Sequence, residues 1–289
     1  MTMAPKIWDV LCESKRIIYT QPRHYLTLSL IFLLPLSFFS LVFQLIFNHL
    51  QQQQPPTNPS NIISLSLFFF LFSSIFTYGA FITIVRSVYH SFFNQTIKFK
   101  EAIKSISTSF FPLLATDIVT FVIFFFIFFL LLLLFGVVLF LIVYLGDINL
   151  TTHPYFIVLF SMVLTLVLLP LVAYLLVNLS LVKVIVVVES VWGFEPLRRS
   201  WKLVKGMKRL ILSIFFLFGS LQWMLAWLTR YSWVLILVFS PILAMLSLCN
   251  IVVITVLYIY CKEKHGELAE EEFGKEKDGA SLSLIPLYK

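Results

Sequence analysis

GFEPLRRSWKLVKGMKR, residues 193–209, sets six Lys/Arg residues between two long apolar runs. Coiled as a helix, it puts Phe194, Leu197, Trp201 and Val204 on one face at spacings of three and four. Arg198, Arg199, Lys202 and Lys205 fall off that face. An amphipathic basic segment between apolar runs is a membrane-surface element, and the runs on either side decide what kind of membrane protein carries it.

Those runs recur along the whole chain. Of 289 residues, 60% are apolar, 12% are charged and 32 are Phe, whereas a soluble domain carries about a quarter charged residues. Six runs approach or exceed the roughly 20 residues that span a bilayer: 25–47, 62–85, 113–145, 155–181, 210–228 and 233–260. A transmembrane barrel needs alternating segments of about ten residues, and Phe121–Phe135 does not alternate. The expected fold is all-α: a polytopic membrane protein of six transmembrane helices over 25–261, with an amphipathic arm at 1–24 and a charged, disordered tail at 262–289. The first run follows Lys15, Arg16 and Arg23 and is too long for a cleaved signal segment, so it is read as retained.

Charge gives the orientation. Lys/Arg number four in the arm, none after span one, four after span two, none after span three, seven after span four, one after span five and five in the tail. The two sides total twenty and one, which by the positive-inside rule puts both termini and the basic loops in the cytosol.

The connectors carry further expectations. The polar stretch 48–61 is Gln- and Pro-rich and reads as an irregular loop. Asn149-Leu150-Thr151 is a formal glycosylation triplet close to the membrane. Span three would reach about 50 Å as one helix, so it must tilt, project or bend near Gly136. Pro170 and Pro241 predict kinks. Ser66, Ser73, Thr77 and Ala80 would let a neighbour approach span two. The β-branched run VKVIVVVES, 182–190, favours an extended lead into the opening segment.

Three segments ahead of spans one, three and five align. Trp8–Ser14, Phe99–Ser105 and Phe194–Ser200 each open on an aromatic residue and carry Ser six positions later. Phe99, Ala102, Ile103, Ile106 and Phe110 would share a face. The spacing points to three repeated units, each an in-plane amphipathic helix plus a two-span hairpin, against the alternative of shared loop composition.

The run from Val188-Glu189 through Pro196-Leu197-Arg198-Arg199-Ser200-Trp201-Lys202-Leu203-Val204-Lys205-Gly206 resembles a motif of prokaryotic multi-span proteins, including the membrane domain of bacterial glycerophosphodiester phosphodiesterases. It is also similar to an uncharacterised plant family of six-span membrane proteins. The resemblance covers about 25 residues and implies a fold and a membrane setting. It brings no catalytic residue, since the phosphodiesterase barrel has no counterpart in this chain.

Little in the chain signals chemistry. Cys12, Cys249 and Cys261 form no CxxC, and the five His residues form no i+3 or i+4 pair, so neither a metal nor a cofactor is expected. Nucleotide-binding and hydrolase signatures are missing. Asp117 reads either as a cation or proton ligand inside span three, or as an interfacial carboxylate that pairs with a neighbouring Lys/Arg or caps a helix; the second is favoured. Asn178, Lys183 and Glu189 cluster after span four, with Lys183 snorkelling and Glu189 holding the Arg198/Arg199 segment. Arg198, Arg199, Trp201, Lys202, Lys205, Lys208 and Arg209 are the candidates for contact with anionic lipid headgroups. The basic charge lies at the membrane surface, so nucleic acid is not the expected partner. The expected function is non-catalytic membrane organisation or scaffolding. A carrier for an apolar or lipid-like solute is the alternative, and a lipid-modifying enzyme using Asp117, Glu189 and Arg198 is less favoured.

Overall fold

The computed structural model describes residues 7–52, 59–93, 99–146, 154–229 and 233–267. Its elements are α1 (Ile7–Thr20), α2 (Pro22–Leu28), α3 (Leu34–Gln52), α4 (Pro59–Phe92), α5 (Phe99–Gly146), α6 (Pro154–Leu179), α7 (Val182–Glu189), α8 (Glu195–Leu203), α9 (Lys208–Leu228) and α10 (Trp233–Lys264). Six helical stretches are long and apolar enough to cross a membrane: Pro22–Leu50, Ile62–Phe92, Glu101–Leu145, Val158–Glu189, Lys208–Leu228 and Val234–Lys264. They fall on the six apolar runs of the sequence. The protein is an all-α, polytopic membrane protein.

The first span is continuous through a π-helical turn, Ser29–Leu33. Pro35 stands two residues beyond it and has no N–H to give to the turn before it. A wider turn relieves the ring's clash there without ending the helix.

α10 is the centre of the bundle. It packs on α1, α3, α4, α7, α8 and α9, and Leu248, Val252, Val253, Val256, Leu257, Tyr258 and Ile259 are buried along it. α4 meets the first span closely at Gly79, where an added Cβ would stand 2.9 Å from the Phe32 ring. Gly79, Thr83 and Ser87, four residues apart, form a small-residue stripe of the kind that lets membrane helices approach. Of the four small residues expected at a close approach, Ala80 is buried in the core, Ser66 and Ser73 are partly buried and Thr77 is exposed. By contrast, no residue in the most apolar windows of α5 and α6 is buried. Phe121, Phe125, Phe126 and Leu130 are exposed there, as lipid-facing surface is when lipid is the solvent.

Two expectations are corrected. Residues 182–189 are helical, not extended. α7 is packed against α4, α5, α8 and α10, with Val182, Val184, Ile185, Val186 and Val187 buried. A lone strand at this depth would leave its backbone N–H and C=O groups unpaired, whereas a helix satisfies them within itself, and that outweighs β-branched propensity. The second in-plane helix is not a separate element either. α5 runs 48 residues without a break, and Pro112 lies inside it. Ala102, Ser105, Ser109 and Leu113 are buried at spacings of three and four. One stripe therefore crosses the supposed boundary, and nothing in the packing calls for a break. α1 and α8 are separate helices, as expected. The three aligned serines, Ser14, Ser105 and Ser200, are all buried.

Pro170 and Pro241 lie inside α6 and α10. The connector 48–61 is shorter as a loop than expected, since residues 48–52 end α3 and 59–61 begin α4; its residues 53–58, the Asn149 triplet, the turn at Arg230–Tyr231 and the tail from 268 onward lie outside the described residues.

Candidate functional site at the basic end

One end of the bundle gathers α1, the end of α4, the start of α5, α7, α8 and the end of α10. α7 is its peg. This helix carries Lys183 in its first turn and Glu189 at its last residue. Both charges oppose the helix macrodipole, which favours anions at the start and cations at the end. Each is compensated from outside the helix.

At the far end, the Tyr258 hydroxyl donates to Glu189 Oε1 at 2.5 Å. Arg199 Nε stands 2.9 Å from Glu189 Oε2 as an ion pair, although its N–H is not aimed at that oxygen. Lys262 Nζ lies 3.9 Å from Oε1, and Lys262 is 1% exposed. A terminal nitrogen of Arg199 donates to Glu267 at 2.8 Å. One carboxylate thus joins α7, α8 and α10. Burial works against the Arg199 guanidinium's charge, but Glu189 and then Glu267 outweigh it and hold its pKa above the ordinary value.

At the near end, Lys183 Nζ lies 3.0 Å from Asp117 Oδ2. The Tyr78 hydroxyl donates to the same oxygen at 2.9 Å. This pair is half-exposed, with Asp117 at 23% and Lys183 at 45%. Asp117 thus pairs with a lysine of the neighbouring α7, which gives Lys183 a partner within the bundle.

α8 is positioned by its glycines and its serine. Gly193 (φ 84) precedes it and Gly206 (φ 94) follows, so the chain turns sharply at both ends. The Gly193 N–H donates to Thr116 Oγ1 at 3.2 Å, and Lys264 Nζ donates to the Gly206 carbonyl at 3.2 Å. Glu195 in the first turn and Lys202 in the last complement the helix dipole. Ser200 Oγ donates to the Asn178 carbonyl of α6 at 2.6 Å. Asn178 itself donates to the Tyr174 carbonyl, and its Oδ1 has no hydrogen-bond partner among the described residues.

The buried side of α8 is Pro196, Leu197, Ser200 and Leu203. Of the face expected from spacing, Leu197 and Val204 are buried, whereas Phe194 is 70% exposed and Trp201 45%. The small Ser200 brings the α8 backbone against α6, a distance at which no aromatic ring fits. Trp201 instead meets the Tyr174 ring edge-on at 5.8 Å. Lys208 Nζ stands 4.5 Å over the same ring. Arg198, Lys202, Lys205 and Arg209 are exposed beside Trp192, Phe194 and Trp201. Of the seven headgroup candidates, only Arg199 is drawn inward, into the Glu189 network.

Among the described residues no group of three or more His, Cys, Asp or Glu is arranged to hold a metal ion. Cys12, Cys249 and Cys261 are free thiols. Sequence reasoning did not name Tyr258, Lys262 or Glu267. Its one available signal was a lysine at the very end of an apolar span.

No family model, curated protein or solved structure matches this chain. The geometry of the basic end therefore carries the functional argument.

Proposed function

We propose that this protein is a non-catalytic membrane organiser whose basic end faces the cytosol and engages anionic lipid headgroups through α8. One observation carries this reading. α8 is fixed on its inner side by Ser200 and Arg199, and presents Arg198, Lys202, Lys205 and Arg209 outward among exposed Trp192, Phe194 and Trp201. Indole and phenyl rings favour the headgroup layer, and each Lys or Arg at an anionic leaflet contributes about 1 kcal/mol. The charge asymmetry of twenty to one supports the cytosolic assignment. The resemblance of residues 188–206 to prokaryotic and plant multi-span proteins fits the same reading. An endomembrane or the plasma membrane is the proposed setting.

The enzyme reading gains no support. Asp117 is engaged through Lys183 and Glu189 with Arg199 at opposite ends of α7, about 9 Å apart along its axis, and Arg198 is exposed. The carrier reading is the alternative, and the small cleft beside the end of α7 does not by itself support it.

The test is lipid selectivity. Spin-labelled anionic and neutral lipids compete for the full-length protein in vesicles, read by electron paramagnetic resonance. Wild type is expected to prefer the anionic lipid, and a variant carrying Arg198→Gln, Lys202→Gln, Lys205→Gln and Arg209→Gln to lose most of that preference. Equal selectivity in the two proteins contradicts the proposal.

A further inference from the structure

Beside the end of α7 lies a cleft of about 80 Å³ lined by Arg86, Tyr89, His90, Val187, Val188 and Ser190. Arg86, Tyr89 and His90 are three and four residues apart on α4, so they share one face. Opposite them, Val187 and Val188 give an apolar wall and Ser190 closes the rim. Ser190 is held at φ 56, the one positive φ among described residues other than glycine. It is the left-handed cap that ends α7.

Among the described residues Arg86 makes no ion pair. The nearest carboxylate in sequence, Glu189, is engaged by Tyr258, Arg199 and Lys262. The cleft therefore keeps an uncompensated guanidinium beside an imidazole, a phenol and a hydroxyl, all of which can donate hydrogen bonds. The cleft is small, and its α4 wall of hydrogen-bond donors suits a compact anion.

We propose that this cleft is a phosphate-binding site, with Arg86 as the bidentate ligand, Ser190 as a further donor, and Tyr89 and His90 lining the same wall. A guanidinium fork matches two phosphate oxygens in one plane. The phosphate belongs either to a phospholipid headgroup or to a soluble phosphate compound. The site stands apart from the α8 surface, and its chemistry does not depend on that surface.

The test uses full-length protein purified in maltoside without phosphate buffer. Inorganic phosphate and dioctanoyl phosphatidic acid are titrated separately by calorimetry. Saturable binding of phosphatidic acid alone assigns a lipid headgroup, and binding of inorganic phosphate assigns a soluble source as well. Arg86→Gln is expected to weaken binding by about tenfold or more, the loss of a charge-assisted hydrogen-bonded pair. Arg86→Lys keeps the charge and removes the fork, and is expected to weaken it too. Ser190→Gly accepts the positive φ, so it is expected to bind more weakly without a lower melting temperature. The four-glutamine α8 variant is expected to bind as wild type does. No saturable binding of either probe overturns the proposal. So does wild-type affinity in both Arg86 variants, or loss of binding in the α8 variant.

Discussion

Glu189 Oε2 lies 2.9 Å from Arg199 Nε, so the last residue of α7 holds the middle of α8. The same carboxylate receives the Tyr258 hydroxyl and faces the buried Lys262. Removing one partner of a buried ion pair leaves the others uncompensated and costs about 3–5 kcal/mol, more than the intact pair contributes. Glu189→Gln is therefore expected to destabilise the protein by about 3 kcal/mol in equilibrium unfolding in micelles. Adding Lys262→Met is expected to recover part of the loss, since it removes the stranded ammonium. A double variant as unstable as the sum of the two singles would show that Glu189 does not serve Lys262.

The Asp117–Lys183 pair is more open, and a smaller effect follows. Partly exposed pairs contribute about 1 kcal/mol or less. Asp117→Asn and Lys183→Gln are each expected to cost about that much in the same unfolding assay. Together they should cost less than their sum, because each alone strands the other's charge beside Tyr78. Strict additivity would mean that the pair is not coupled.

Gly79 and Gly136 separate packing from propensity. Both lie inside helices, where replacing Gly gains roughly 0.5–1 kcal/mol from propensity alone. At Gly136 nothing lies within 4 Å of an added Cβ, whereas at Gly79 the Phe32 ring is 2.9 Å away. Gly136→Leu is expected to be neutral or stabilising. Gly79→Leu is expected to destabilise by about 1–3 kcal/mol, the range for overpacking, as a lower melting temperature in detergent.

Ser200 is where α8 is pinned to α6. Ser200→Leu forces a larger side chain against the Asn178 carbonyl and is expected to cost about 1–3 kcal/mol. If α8 presents the lipid-binding surface, the same variant should also lose anionic-lipid selectivity, although none of its surface charges has changed. Full selectivity in a destabilised Ser200→Leu protein would detach lipid engagement from the seating of α8.

Much of this architecture was legible because the membrane imposes simple rules. Run lengths marked the six spans, and the pairing of Glu189 with Arg199 could be read from opposite charges ten residues apart across a Gly turn. Other features carried no local signal. Tyr258, Lys262 and Glu267 reach the same cluster from about seventy residues away, and their approach depends on α10 being central. α7 was misread because Val and Ile favour strands locally, while burial with no strand partner selects a helix. The break expected before span three is absent because the stripe through Ala102, Ser105, Ser109 and Leu113 continues across it. The expected face of α8 divides, with Leu197 and Val204 buried and Phe194 and Trp201 exposed, because spacing gives a helix's periodicity but not which side a small Ser200 will turn toward its neighbour.

The central claim is that the basic segments form one surface facing the cytosol. Single cysteines at Lys15, Lys104 and Lys205, and at Gln53 and Asn149 in the connectors that lack Lys and Arg, are introduced into a background without the native cysteines. An impermeant maleimide is then applied to intact cells if the protein is at the plasma membrane, or to sealed, cytosolic-side-out vesicles if it is internal. The account predicts that the three basic positions react together from the cytosolic side and the two connector positions react only from the other. A basic position that labels with the connectors would contradict it.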